Sequence, residues 1–354
     1  MPGHWTYKLG GAEYQVKCIM DALISKHKYD IYFVTRFVAP SYMPVGYKII
    51  PINNHFKNIR ARYLFDGPAL YRALSSIKPD IIYQRRGLTY TGFSAAYAQL
   101  HHCKFIWHIA HDDDVTPRPI EFSVNGFKAF VEKKIIEYGV RKSKNIIAQT
   151  ADQADYLKQN YRKSPSVIMN NFHPFPKETI TKPTLMNVVW IANLKPMKQP
   201  EVFLQLAESL NNKENVQFTM IGELPSGEWG KKIGEKIQKT GCVNFMGAIS
   251  QDRVNDVLVN ASILVNTSKR EGFSNTFIQA WMRQVPVISL CVNPDRIFDY
   301  EKIGFCSGNG EKLIKDVSNL LDNHSLREEM GHAAQEYAYD NFSEKEILKL
   351  IALI

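Results

Sequence analysis

Apolar residues recur along this chain in two alternating periods. After Gly10 and Gly11, the residues Val16, Ile19, Met20, Leu23 and Ile24 fall on one helical stripe, and the β-rich run DIYFVTRF (residues 30–37) follows. Short strand patterns then recur at 81–84, 105–109 and 145–149, with helical patterns at 92–100 and 127–141 between them. Strands that alternate with helices are joined by crossovers, so this rhythm predicts a parallel sheet. Thr150 with Gln153 predicts a capping box for the next helix. Residues 171–184 (NFHPFPKETITKPT) have the proline content of an interdomain linker. A second series begins at Asn187, with strands at 188–192, 216–221 and 243–246 and helices at 200–210 and 231–239. Two Rossmann-like halves follow from the pattern. The closing segment SEKEILKLIALI (residues 343–354) is amphipathic and starts at a candidate cap, Ser343.

The opening departs from this scheme. A Rossmann-like half should begin with a strand, yet residues 1–9 (MPGHWTYKL) carry proline, glycine and polar residues and lead straight into the glycine turn. The first strand of the first half is therefore expected to be missing, which would expose a sheet edge. Either a start placed downstream of the true one or a fragment would account for this, and a misplaced start is expected rather than an altered fold, because every later element is in place.

Composition narrows the class. A length of 354 residues suits two domains, and 45% hydrophobic residues is ordinary for a soluble protein. No run approaches the ~18 to 20 apolar residues of a spanning helix, and the N-terminus lacks a secretory pattern, so a cytoplasmic protein is expected. The cysteines Cys18, Cys103, Cys242, Cys291 and Cys306 are odd in number and scattered, which reads as reduced structural thiols. Charge is uneven: residues 1–176 hold 24 Lys and Arg against 13 Asp and Glu (+11), and the remainder 20 against 22 (−2). A basic first half suits anionic phospholipid or a lipid-diphosphate acceptor. Nucleic acid is set aside as a partner because no zinc-finger spacing or RNP-like motif is present.

Candidate chemistry concentrates in EGFSNTFIQAW (residues 271–281), which follows the strand-like ASILVNTS (261–268) and precedes the apolar VPVISL (285–290). A strand, glycine turn and helix start aim backbone N–H groups at an anion, so Gly272, Phe273, Ser274, Asn275 and Thr276 form a candidate diphosphate cradle. Ser274 or Asn275 is expected to cap the helix, and Glu271 stands at the mouth. The plainer alternative is a buried crossover with a polar turn.

These residues closely resemble the donor-site signature of glycosyltransferase family 4, retaining enzymes of the GT-B fold, in which a glutamate and a second acidic residue bracket seven others. Here the second position is Gln279. The resemblance extends through GGAE (10–13), AQTADQ (148–153), VIMNN (167–171) and MIGE (220–223), in family order. It implies an α/β protein of two Rossmann-like domains facing across a cleft, with a C-terminal crossover helix. The implied division is an acceptor-side domain at 1–176, a linker at 177–186, a nucleotide-sugar-binding domain at 187–335 and the crossover helix at 336–354. It also implies a retaining, metal-independent hexosyltransferase without cofactor. Such an enzyme moves a sugar from a nucleoside-diphosphate sugar to a glycan or lipid-linked glycan, as in cell-envelope polysaccharide or lipopolysaccharide assembly.

Residue roles follow from the same resemblance. Lys198, in WIANLKPMKQP (190–200), sits where the family places a lysine on the donor phosphates. Ala192 and Asn193 replace the usual Gly-Arg, so either Lys195 substitutes or Lys198 and the helix start act alone. Gly10 and Gly11, ahead of Glu13, match the loop that approaches the phosphates from the first domain. Glu271 would contact the sugar, and Gln279, a neutral amide, the ribose hydroxyls. His111, after the strand FIWHIA, matches the family's histidine near the reacting centre, whereas His108 reads as a core histidine. The triplet Asp112, Asp113 and Asp114 contains a DxD, read here as a solvated acidic loop or an acceptor contact rather than a metal site. With its basic first half, the protein is expected at the inner face of the plasma membrane. Two other functions remain open: a non-catalytic nucleotide-sugar or polyanion binder, and a nucleotide-sugar epimerase of the same architecture.

Overall fold

Among the described residues of this computed structural model all strand pairings are parallel, and they fall into two separate α/β units. The structure describes residues 3–6, 10–26, 28–52, 64–116, 124–176 and 180–354. Unit 1 comprises Met1–Phe172 with Glu344–Ile354, and unit 2 comprises His173–Ser343.

Unit 1 begins with α1 (Gly11–Ile24), whose stripe buries Val16, Ile19 and Met20. The strand pattern at 30–37 yields only β1 (Tyr32–Thr35), which pairs with β2 (Lys48–Pro51). Ahead of α1, Gly3 makes a single parallel bridge to Phe37, and the His4 N–H donates to the Phe37 carbonyl at 2.7 Å. No longer strand precedes α1 among the described residues; positions 1, 2 and 7–9 of the opening segment lie outside them. The helix α2 (Gly67–Ile77) then leads to a four-stranded sheet of order β3-β4-β5-β6. Its strands are Ile81–Arg85, Lys104–His108, Asn145–Ala148 and Val167–Ile168, joined through α3 (Thr89–His101), α4 (Val124–Lys142) and α5 (Ala151–Tyr161). At the head of α5, Thr150 Oγ1 accepts from the Gln153 N–H at 3.1 Å, the expected half of a capping box. The reciprocal bond is displaced by one residue: Gln153 Oε1 accepts from the N–H of Gln149, not Thr150. Part of the charge counted on the first half, including Lys57, Arg60, Arg62 and Arg118, lies outside the described residues.

Unit 2 contains β7 (Met186–Ile191), α6 (Pro200–Leu210), β8 (Val216–Ile221), α7 (Glu228–Thr240), β9 (Val243–Phe245) and α8 (Gln251–Val259). Then come β10 (Ile263–Asn266), α9 (Asn275–Trp281), β11 (Val287–Ser289), α10 (Ile297–Tyr300), β12 (Gly304–Cys306), α11 (Gly310–Asp322) and α12 (His324–Asn341). The central strands are largely apolar because both faces are covered. Val188 and Trp190 of β7 pack with Phe203, Leu206 and Phe218 on one face, while Val189 packs with Leu264, Phe277 and Trp281 on the other. The sheet order is β12-β11-β10-β7-β8-β9. Counted within the unit this is the doubly wound order 3-2-1-4-5-6, whose direction reverses where β7 lies beside β10. Ligands of such sheets bind outside the carboxyl ends of the strands at that reversal.

The chain enters unit 2 through residues 173–176 and 180–185, which form no helix or strand. Lys182 anchors this stretch, its ammonium donating to the carbonyls of Val259 (3.0 Å), Ala261 (2.9 Å) and Arg283 (2.7 Å). After α12 the chain returns to unit 1, where α13 (Ile347–Ile351) buries Ile347 and Leu350 against Cys18, Ile19, Ile106 and Phe172.

Candidate functional site

The reversal point of unit 2 is built from the loops that follow β7 and β10. After β7 the chain forms a 3-10 turn at Pro196–Lys198; after β10 it runs through Thr267, Ser268 and Glu271 to α9. A buried hydroxyl ties the loops together: Thr267 Oγ1 accepts from Trp190 Nε1 at 2.8 Å and donates to the Lys198 carbonyl at 2.6 Å. The Lys269 N–H adds a bond to the Met197 carbonyl at 3.0 Å. Lys198 is thereby presented beside Glu271, with Nζ 2.8 Å from Oε1.

Glu271 sits in a dense set of donors. Asn266 Nδ2 reaches Oε1 at 2.8 Å and Ser268 Oγ at 2.6 Å. Burial pushes the Glu271 carboxyl up, but the Lys198 charge and the bonds from Lys198, Ser268 and Asn266 outweigh it and hold the group below the usual carboxylate range. The side chain is therefore an anion at neutral pH with an ammonium beside it. An anion and a cation so placed can hold, respectively, hydroxyl groups and phosphate oxygens of one ligand.

The rest of the predicted cradle lies directly after Glu271. Gly272 is buried, and the Phe273 ring packs on Phe342 and Trp281, with centroids at 4.8 and 6.2 Å. Ser274 occupies the N-cap position of α9, but its side chain makes no capping bond; its hydroxyl instead meets Thr276 Oγ1 at 3.0 Å. Asn275 is the first residue of α9, and its Oδ1 lies 3.4 Å from His173 Nε2. The expected side-chain cap is thus replaced by bonds among neighbouring side chains. Gln279, predicted at the ribose, is 3% exposed and donates through Nε2 to Asn255 Oδ1 of α8 at 2.9 Å. Asn193, where the family has arginine, accepts from the Glu223 N–H at 3.4 Å, and Lys195 is exposed. Beside it Gly222 is obligatory, because a Cβ there would stand 1.8 Å from the Ala192 carbonyl oxygen.

Gly10, Gly11 and His111 belong to unit 1. Gly10 is the extended N-cap of the 14-residue α1, and Gly11 is its first residue. His111 follows β4 as the cap of a 3-10 turn formed by Asp112–Asp114, accepting from the Asp113 N–H through Nδ1 at 3.2 Å. Its proton in the neutral form is then on Nε2. The acidic triplet is the solvated loop that sequence suggested only in part: the Asp113 side chain is 40% exposed, but its neighbours are engaged. Asp114 is 4% exposed and accepts from the N–H groups of Ala110 (2.9 Å) and His111 (3.1 Å), while Asp112 accepts from Gln153 Nε2 at 3.0 Å. These carboxylates shape the His111 turn. Among the described residues no group of three His, Cys, Asp or Glu could hold a metal. His108 is fully buried, 2.7 Å from Tyr83 Oη and 3.2 Å from Arg85 Nη1, and burial and the Arg85 charge hold its pKa well below the usual value.

Asn266, Thr267, Ser268 and Asn255 were not singled out by sequence reasoning. The available signal was the polar run Asn-Thr-Ser at the carboxyl end of an otherwise apolar strand.

These two parallel α/β units, with the reversal-point site in the second, have the GT-B glycosyltransferase fold. Residues 9–172 match the family model "Glycosyltransferase Family 4", and residues 174–337 match "Glycosyl transferases group 1". The chain belongs to glycosyltransferase family 4, group 1 type. A D-inositol 3-phosphate glycosyltransferase of Streptomyces coelicolor is 23% identical over 238 residues, covering 56% of this chain and 52% of that protein. The chain spans about half the length of the curated relatives it matches. WaaG, a glycosyltransferase involved in lipopolysaccharide biosynthesis, has a TM-score of 0.76 at 12% identity, covering 100% of this chain and 98% of WaaG. Anabaena HepE in complex with UDP and glucose has a TM-score of 0.74 at 14% identity, covering 99% and 97%.

Proposed function

We propose that this protein is a retaining, metal-independent glycosyltransferase that moves a hexosyl group from a nucleoside-diphosphate sugar to a glycan or lipid-linked glycan. The observation that carries this reading is the Lys198–Glu271 pair at the reversal point of a doubly wound sheet. Lys198 and the backbone of Gly272, Phe273, Ser274, Asn275 and Thr276 would meet the diphosphate. Stabilising charge on the departing diphosphate is the main electrostatic task of such a transfer. Glu271 would accept from sugar hydroxyls, and Gln279, redirected from its bond to Asn255, from or to the ribose. The UDP and glucose held by HepE support a nucleotide-sugar donor.

In this reading residues 1–176 form the acceptor-side domain, 177–186 the linker, 187–335 the donor domain and 336–354 the crossover segment. Gly10 and Gly11 at the head of α1 serve the donor phosphates, and His111 the reacting centre, with its Nε2–H as the available donor. Retention is ascribed to departure and attack on one face, so no protein nucleophile is assigned. The excess charge of the first half supports an anionic membrane surface at the cytoplasmic face and a lipid-linked acceptor. No helix among the described residues is long and apolar enough to cross a membrane. The involvement of WaaG in lipopolysaccharide biosynthesis supports envelope polysaccharide assembly as the setting.

The test is a panel of UDP- and GDP-sugars, reading thermal shift and release of nucleoside diphosphate, with and without EDTA and with membrane lipid extract as acceptor source. Binding with EDTA-insensitive release is expected. Binding without release under any condition would replace the transferase by a non-catalytic binder. Conversion of the donor sugar without an acceptor would make it an epimerase.

A further inference from the structure

We propose that Asn266 and Ser268 are positioning residues for Glu271, fixing its carboxylate so that Oε2 is the oxygen that accepts from a hydroxyl of the donor sugar. The inference rests on the donor reading given above and adds to it which atom does the recognising and what aims it.

The three donors around Glu271 are unevenly shared. Lys198 Nζ, Asn266 Nδ2 and Ser268 Oγ all lie on Oε1, at 2.8, 2.8 and 2.6 Å. Oε2 accepts from none of them, and it is not among the buried atoms that lack a partner. The Glu271 side chain is 14% exposed. With Oε1 saturated, the accepting capacity of this carboxylate is concentrated on Oε2.

The donors are themselves held. Asn266 is 6% and Ser268 1% exposed. Asn266 Oδ1 accepts from the Ser268 N–H at 3.0 Å, which fixes the amide with its NH2 toward Glu271. Ser268 Oγ, spending its single proton on Oε1, has no freedom to reorient without losing that bond. One residue at the end of β10 and one two positions later thus clamp the carboxylate from the same side. The group that Oε2 can meet must be a donor and must not be anionic, which describes a sugar hydroxyl and excludes a phosphate oxygen. Phosphate oxygens are left to Lys198, whose ammonium carries two further protons.

The experiment uses the full chain and the UDP-sugar that the panel identifies. Ser268→Ala, Asn266→Ala and Ser268→Thr are compared for UDP affinity, UDP-sugar affinity, kcat, KM and the pH profile of kcat. UDP alone should bind each variant within about twofold of the unsubstituted protein, because the nucleotide does not meet Oε2. The alanine variants should lose the extra affinity conferred by the sugar, and kcat should fall roughly tenfold or more, the weight of a hydrogen bond to a charged group. The acid limb of kcat should move to higher pH, as Glu271 loses a donor, and Ser268→Thr should restore most of the loss. Equal losses for UDP and UDP-sugar, or an unmoved acid limb, would overturn the inference. If the alanine variants do not fold, donors lacking one hydroxyl at a time decide the matter with the unsubstituted protein and Glu271→Gln. One deoxy donor should lose roughly tenfold in the former and far less in the latter; equal use of every deoxy donor would overturn the inference. A protein that binds UDP and UDP-sugars normally yet fails these comparisons refutes the positioning role alone. One that binds no nucleotide sugar refutes the donor reading and this inference with it.

Discussion

Lys198 Nζ lies 2.8 Å from Glu271 Oε1, an ion pair formed between the loops that follow two adjacent strands, with side-chain exposures of 23% and 14%. Removing one partner strands the other charge in a mostly buried place. Lys198→Met is therefore expected to lower stability by about 2 kcal/mol, discounted for partial exposure, and to reduce turnover by about a hundredfold or more. The double variant with Glu271→Gln should recover much of the stability and none of the turnover. Urea unfolding combined with donor-release assays separates the two effects.

Acid should destabilise the fold through histidines buried in the neutral form. Burial, with the Arg283 charge, brings His173 down to about 3, and burial brings His4 down to about 4. Both lie below the unfolded value of about 6.5, so between those limits the unfolded chain binds more protons than the folded one. Their contribution is complete above about pH 6.5 and is lost as pH falls toward 3 to 4. Unfolding midpoints at pH 7.5, 6 and 5 should fall steadily. His173→Asn, measured over the same range, should flatten the slope.

Lys182 closes the end of α8 and the turn after α9 by donating to three main-chain carbonyls. Lys182→Met should leave those acceptors unpaired in a partly buried place and destabilise unit 2 by about 2 kcal/mol. An unfolding transition unchanged by the substitution would show that water replaces the ammonium fully.

Gly222 admits no side chain, since its Cβ would stand 1.8 Å from the Ala192 carbonyl oxygen, behind the loop that carries Asn193 and Lys195. Gly222→Ala is expected to lower the melting temperature by several degrees, the effect of a shift costing about 2 kcal/mol, and to weaken donor binding. Gly310→Ala, at the start of α11 with nothing within 4 Å of the added carbon, is the control and should leave both unchanged.

Much of unit 2 was legible because its central strands are buried on both faces and read as largely apolar runs. The pattern at 200–210 and 216–221 coincides with α6 and β8. Elements held mainly by tertiary contacts were not legible: β2 is four residues with no buried position, and it forms only by pairing with β1. In the site, residue types indicated Lys198 and Glu271 separately, but not their pairing. That pairing depends on Thr267 bonding the carbonyl of Lys198 across 69 residues of chain. Side-chain direction was equally out of reach. Ser274 has the residue type of a cap, yet its hydroxyl meets Thr276, and the Gln279 amide meets Asn255. Asp114 looked like a surface charge because sequence does not reveal that two N–H groups fold over it.

The return of the chain to unit 1 bears on how the protein is made. Ile347 and Leu350 complete a core that also contains Cys18, Ile19, Ile106, Ile147 and Phe172, and Glu346 accepts from the Asn170 N–H at 2.7 Å. Domains made on the ribosome generally fold in order from the N-terminus. Here the earlier unit waits on residues translated after the whole of the later one, so a nascent chain stalled within α12 would carry every strand of the unit 2 sheet while Cys18 and Ile19 of α1 still lacked Ile347 and Leu350.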